Sequence, residues 1–194
     1  MTLEVRIHGR GGQGVVTAAE LLSLAAFDQG LFAQALPSFG SERTGAPVVA
    51  YCRIDEHPIR AHDPLEAPDV IVIQDPTLLR DAAVLAGLAE DGVVVVNSSH
   101  RPEELEAAGL LLQGEQRAVC VPASELSRER LGRPLPNTAL IGAVVAVTGV
   151  VALPALHTAI RQRFANASPR VVAANLDLAS DAHDLSRGRE RGRA

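Results

Sequence analysis

The sequence predicts an α/β fold: a single domain on a mainly parallel sheet with helices on both faces, in a Rossmann-like arrangement. Short continuous apolar runs recur at residues 70–73, 93–96 and 118–121, the pattern of parallel strands covered on both faces, and a first short run stands at residues 3–7. Helical stretches alternate with these runs, as βαβ units require. Where the first run passes into the first helix, Gly9, Gly11 and Gly14 stand in the spacing G-x-G-x-x-G.

The first strand leads directly into Ile-His-Gly-Arg-Gly-Gly-Gln-Gly (residues 7–14). Read as strand, turn and helix, this stretch sets the backbone amides of Gly11, Gly12, Gln13 and Gly14 at a helix N-terminus, where unpaired donors and the helix dipole favour an anion. A dinucleotide site would also need an acidic residue at the end of the second strand, to hold a ribose hydroxyl. Here that run, residues 31–36, ends in Pro37-Ser38, and Asp28 falls within the last turn of the helix. A self-sufficient nicotinamide oxidoreductase is therefore disfavoured. The first helix, residues 15–27, has Glu20 as its only interior charge, which predicts cover on a second side by another subunit. Gln29-Gly30 ends it.

Residues 37–47 form a loop dense in turn formers, with Arg43 its one cation. A guanidinium can bind phosphate or carboxylate through two parallel hydrogen bonds, and its other reading is a surface pair with Glu42. Residues 48–54 predict a buried strand, and Asp55 to Pro58 a hairpin-like turn into Ile59-Arg60. His57 and His62 read as turn residues; with no third ligand at suitable spacing, no bound metal is expected.

After residues 70–73, Asp75 is suited to cap a helix and Pro76 to open it, with an inner stripe of Leu78, Ala82, Leu85 and Ala89. Strands follow at 93–96 and 118–121, then a helix at 123–131. Asn137 or Thr138 caps an apolar helix over 139–151. Pro154 opens another, with Leu156, Ile160 and Phe164 inward and Arg161 and Arg163 outward. A last helix runs from Pro169 to about Asp184. The domain is thus 1–184, and the Arg/Gly-rich tail, 185–194, is expected to be disordered.

Composition narrows the function. Four Phe, one Tyr and no Trp leave Ala, Val and Leu to build the core. A formal charge of −5, with no basic stripe in the body of the chain, argues against nucleic-acid binding. Residues 138–156 carry no charge, but Pro154, Gly142 and Gly149 make them a buried helix rather than a membrane span. The chain enters a strand at once, without a signal-type start, so a cytoplasmic location is expected. The two cysteines, Cys52 and Cys120, are too few for an iron–sulfur cluster, which needs about four thiolates. Ligands of parallel sheets bind beyond the carboxyl ends of the strands. The glycine turn, residues 37–47, Asp75 and residues 97–99 converge there as one candidate site. His8 reads as a structural histidine, and no catalytic residue is assigned.

With these residues in view, the chain closely resembles the gamma subunit of 2-oxoacid:ferredoxin oxidoreductases of the pyruvate and 2-oxoisovalerate type. The resemblance rests on Glu4-Val-Arg-Ile-His-Gly-Arg-Gly-Gly-Gln-Gly14 and Pro37-Ser-Phe-Gly-Ser-Glu-Arg-Thr-Gly-Ala-Pro47. Three further blocks follow in the family's order: Pro68-Asp-Val-Ile-Val-Ile-Gln-Asp-Pro-Thr-Leu78, Val94-Val-Val-Asn97 and Asn137-Thr-Ala-Leu-Ile-Gly-Ala143. It implies a subunit of an assembly that cleaves a 2-oxo acid with coenzyme A, giving acyl-CoA, carbon dioxide and reduced ferredoxin. It also implies thiamine diphosphate and iron–sulfur clusters in partner subunits of alpha, beta and delta type, and ferredoxin as acceptor. For this chain itself, structural support of the active centre and a share in binding coenzyme A are expected, because its phosphates suit a glycine-rich helix start and a guanidinium, through Gly9, Gly11, Gly12, Gln13, Gly14, Arg43 and Thr44. An indolepyruvate- or 2-oxoglutarate-type enzyme is the near alternative. A subunit with an interaction role alone, and no ligand, is the distant one.

Overall fold

The computed structural model describes residues 2–37, 45–60 and 65–191. Six strands form one sheet: β1 (Leu3–Arg10), β2 (Phe32–Pro37), β3 (Pro47–Asp55), β4 (Val70–Ile73), β5 (Val93–Asn97) and β6 (Arg117–Val121). Their order is β2-β3-β1-β4-β5-β6. The links β1–β4, β4–β5 and β5–β6 are parallel, whereas β3 runs antiparallel to both β1 and β2. The sheet is therefore mainly parallel with an antiparallel edge, which sequence periodicity could not distinguish.

The five α-helices among the described residues are α1 (Val15–Asp28), α2 (Ala123–Leu131), α3 (Asn137–Thr148), α4 (Leu153–Arg163) and α5 (Pro169–Arg191). Strand alternation divides the apolar residues between two cores. Val5, Ile7, Val70, Val72, Val93 and Val95 face α1, α3, α4 and α5, while Ile71, Ile73, Val94 and Val96 face Leu78, Leu79, Val84 and Leu105. Each such side chain, fully buried, contributes about 1.5–3 kcal/mol. The second face is thus covered by 3-10 helices, at Pro76–Arg80, Ala82–Val84 and Pro102–Ala108.

Those 3-10 helices correct one expectation. The segment after Asp75 is not a single helix with a stripe at Leu78, Ala82, Leu85 and Ala89. The Asp81 carboxylate accepts from the amide of Ala83, so the chain ends one short helix and starts another, and Ala82 is left exposed. Capping at Asp81 outweighs the apolar spacing, which is diluted to alanine at two of its four positions.

A second correction concerns α1, whose polar face is missing because this same chain covers it. Helix α4 packs across its outer side through Ala155, Leu156, Ala159 and Ile160, and Arg163 pairs with Glu20 at 2.8 Å. No second subunit is needed for that burial.

Helix α5 also runs past Asp184, as far as Arg191, where a disordered tail was expected. Leu178, Ala182 and Ser186 recur at intervals of four on its buried side, and the Ser186 hydroxyl donates to the carbonyl of Ala182 at 2.8 Å. Packing on that stripe carries the helix beyond the last obvious apolar residue. Helix α3 begins at Asn137, but neither Asn137 nor Thr138 caps it; the Thr138 hydroxyl instead donates to Asn175 of α5 at 2.8 Å. The turn after β3 is held by the Asp55 carboxylate accepting from the amide of His57, and Ile59-Arg60 joins no strand. Among the described residues no helix is long and apolar enough to cross a membrane.

Candidate functional site

The glycine turn lies between the last residue of β1 and the first of α1. Gly14 takes φ 76°, a left-handed conformation, immediately before the helix. A Cβ on Gly14 would also lie 2.6 Å from the side-chain nitrogen of Asn137, so the turn and the start of α3 are in close contact. No side chain caps α1. Among the described residues, nothing accepts from the amides of Gly12 and Gly14.

Two of the four amides expected to be free are paired. Gly11 donates to the carbonyl of Ala46 at 2.9 Å, and Gln13 donates to the carbonyl of Arg10 at 3.0 Å. The amide of Gly45 returns a bond to the carbonyl of Gly11 at 3.2 Å. The antiparallel pairing of β1 with β3 continues past Arg10 and Pro47, and this long-range ladder, invisible in a local motif, takes up one of the donors. The Gln13 side chain closes the turn by accepting from the amide of Arg10 at 2.8 Å.

Arg10 is the residue that sequence reasoning missed. Its Nε donates to Asp75 Oδ2 at 2.7 Å, one Nη to Thr77 Oγ1 at 2.9 Å and the other to the carbonyl of Gly45 at 3.1 Å. The signal was a charged residue inside the glycine pattern. Asp75 caps its 3-10 helix as expected, accepting from the amide of Thr77 at 3.0 Å. Burial alone would raise the Asp75 carboxyl, but the bonds from Thr77 and Arg10 together outweigh it and hold it below the usual carboxylate range.

Beneath the turn lies a polar layer. Gln74, at the end of β4, is 0% exposed, and among the described residues neither atom of its side-chain amide has a partner. A Cβ on Gly9 would sit 3.1 Å from both the Gln74 and Gln13 side-chain oxygens and 2.6 Å from Val15. Asn97, placed by sequence in the ligand crevice, donates instead to the Gln74 carbonyl and the Ser124 hydroxyl, and accepts from the Ser124 amide. It caps the first turn of α2.

His8 points to the opposite face of the sheet and accepts from Arg6 Nε at 3.1 Å through Nε2, which places its proton on Nδ1. Burial and the nearby Arg6 push its pKa down to about 4. At neutral pH it is an uncharged partner for Arg6, which also donates to the carbonyls of Val84 and Ala86. The structure thus joins Gly9, Gly11, Gly12, Gln13 and Gly14 to Asp75 and to Gly45-Ala46. Arg43, Thr44 and His62 lie outside the described residues. Cys52 and Cys120 are both buried and belong to opposite cores, so they cannot share a cluster. Among the described residues, no group of three His, Cys, Asp or Glu side chains could hold a metal ion.

The chain as a whole is similar to known proteins. Residues 4–185 match the family model described as pyruvate ferredoxin/flavodoxin oxidoreductase. The common gamma subunit of the pyruvate/ketoisovalerate oxidoreductases of Pyrococcus abyssi is 48% identical over 162 residues, covering 84% of this chain and 86% of that one. Pyruvate synthase subunit PorC of Methanosarcina barkeri is 45% identical, covering 81% and 84%. The crystal structure of pyruvate oxidoreductase subunit PORC from Thermotoga maritima superposes with a TM-score of 0.82 at 34% identity, covering 94% of this chain and 96% of that one.

Proposed function

Because this chain belongs to the pyruvate ferredoxin/flavodoxin oxidoreductase family, as a gamma subunit of the pyruvate/ketoisovalerate type, we propose that it is an accessory subunit that helps bind coenzyme A. The observation that carries this reading is the pair of amides, Gly12 and Gly14, without a partner among the described residues, at the uncapped start of a 14-residue helix. Such amides, with the helix dipole behind them, suit the phosphates of coenzyme A. Gly9 and Gln13 shape the turn, and Gly11 anchors it. Arg43 and Thr44, next to Gly45 in sequence, complete the proposed binding set.

In this reading the chemistry belongs to partner subunits of alpha, beta and delta type. They hold the thiamine diphosphate and the iron–sulfur clusters and pass electrons to ferredoxin. Two inward-facing thiols in separate cores support that division, since they do not fit a cluster of four thiolates. Asp75 supports it too, because among the described residues at the glycine turn this carboxylate is already engaged by Arg10 and Thr77. The 2-oxo acid is pyruvate or a branched analogue, and the location is cytoplasmic.

The test is Gly12→Val and Arg43→Ala in the assembled oxidoreductase. Gly12 has φ 95°, so valine there strains the turn and blocks the approach to both amides. The expected result is a KM for coenzyme A raised at least tenfold, with the KM for the 2-oxo acid unchanged. Unaltered KM values in both variants would favour an interaction role, with the glycine turn against a neighbouring chain.

A further inference from the structure

Within itself the glycine turn is closed by the Gln13 side chain on the Arg10 amide and by the Gln13 amide on the Arg10 carbonyl, and it rests against Asn137. Gly12 and Gly14 both adopt positive φ, and a turn of that composition has many accessible conformations. Two backbone bonds tie it to the chain on its far side: Gly11 to Ala46, and Gly45 to Gly11. That side, Gly45-Ala46, is the foot of the β2–β3 connection, immediately before β3. The sheet proper flanks the turn on two sides: β3, paired with β1 as far as Arg10 and Pro47, and the end of β4, which the amide of Gln74 fastens to the carbonyl of His8 at 2.8 Å.

Arg10 spans these pieces. Its guanidinium reaches three acceptors on two separated segments: Asp75 at 2.7 Å and Thr77 at 2.9 Å after β4, and the Gly45 carbonyl at 3.1 Å before β3. The Thr77 hydroxyl donates to the other Asp75 oxygen at 2.7 Å, so carboxylate, hydroxyl and guanidinium close into one ring of hydrogen bonds. Only a planar fork with several donors can make this arrangement; an ammonium group is a single point. The positive charge is already matched by Asp75, which leaves geometry as what Arg10 supplies.

We propose that Arg10 is a positioning residue: by bridging Asp75, Thr77 and the Gly45 carbonyl it holds the foot of the β2–β3 connection on the glycine turn and so aims the amides of Gly12 and Gly14 at their anionic ligand. This role rests on the coenzyme A reading given above. Arg10 itself does not touch the ligand.

Arg10→Lys and Asp75→Asn in the assembled oxidoreductase test it, with steady-state kinetics and amide hydrogen exchange read together. Lysine keeps the charge and loses the fork. Asparagine keeps the cap on Thr77, removes the counter-charge and leaves Arg10 in place. Both variants are expected to raise the KM for coenzyme A at least fivefold while kcat stays within twofold and the KM for the 2-oxo acid is unchanged. Exchange at the Gly11 and Gly45 amides is expected to quicken at least tenfold in both. Unchanged exchange overturns the proposal, because the tie would then hold nothing. A lowered KM in Asp75→Asn also overturns it, since a released Arg10 would be binding the ligand directly. If exchange quickens but the KM does not move, Gly12→Val separates the two readings. A raised KM in Gly12→Val overturns the positioning role and leaves the coenzyme A reading standing. An unmoved KM there overturns the coenzyme A reading, and this role with it.

Discussion

A Cβ placed on Gly142 of α3 would lie 2.2 Å from the carbonyl oxygen of Ala179 in α5, so the two helices touch backbone to backbone at that point. The contact lies in the middle of the larger core, between Ile141 and Ala143, both fully buried. No rotation of an added side chain relieves it, because the obstacle is main chain. Gly142→Val is therefore expected to lower stability by more than the ~1–3 kcal/mol typical of overpacked cores. Urea unfolding of the variant measures it, and a midpoint equal to that of the parent chain would show that α3 and α5 can separate at no cost.

Gln74 presents the opposite case, a buried polar group whose removal should help. Its side-chain amide is sealed from solvent with no partner on either atom among the described residues. An unmade hydrogen bond of this kind costs about 1–3 kcal/mol. Gln74→Met fills similar volume without the polar atoms, so it is expected to raise the stability of the purified chain by about 1–2 kcal/mol. A loss of stability on thermal unfolding would mean that Gln74 finds partners in solution.

Acid should weaken the fold through His8. Its folded pKa is lowered to about 4 from an ordinary value of 6.5, so between those values the unfolded chain binds the proton and the folded chain does not. Stability is then fully present above about pH 6.5 and is lost as pH falls toward 4, by up to about 3 kcal/mol. Unfolding measured across that range should show the slope in the parent and a shallower one in His8→Gln. Equal slopes would assign the effect to other groups. Asp55, held down to about 2 chiefly by hydrogen bonds from Thr2 and His57, releases its contribution only below the ordinary carboxylate range, in a separate window.

Neither thiol should react in the folded chain. Cys52 is wholly buried, and burial pushes its pKa up to about 12, so thiolate is scarce at neutral pH. Cys120 is buried in the other core. Iodoacetamide at pH 7.5 is expected to label neither until denaturant is added. Rapid labelling without it would reveal an opening of the sheet that the packing does not suggest.

Much of the fold was legible in sequence because the parallel strands are buried on both faces. Val70–Ile73, Val93–Asn97 and Arg117–Val121 must each be apolar on both sides, and a continuous apolar run is a strong local signal. Capping at Asp75 was legible for a similar reason, since the carboxylate accepts from an amide only two residues away. The glycine spacing likewise located the turn between β1 and α1, because close approach and positive φ restrict which residue can stand at Gly9 and Gly14.

What local pattern left open depends on partners distant along the chain. Sequence alone determined where the turn lies and which amides belong to it; the tertiary structure decided which of them are free, through the pairing of Gly11 with Ala46. The same holds for Arg10, whose acceptors at Asp75 and Gly45 are brought together only when β3 and β4 flank β1. It holds for α1, whose missing polar face meant burial, with α4 of this same chain as the cover. The physical reason is common to all three: periodicity reports how much of a segment is buried, while the identity of the burying or bonding group is set by the three-dimensional arrangement of segments far apart in sequence.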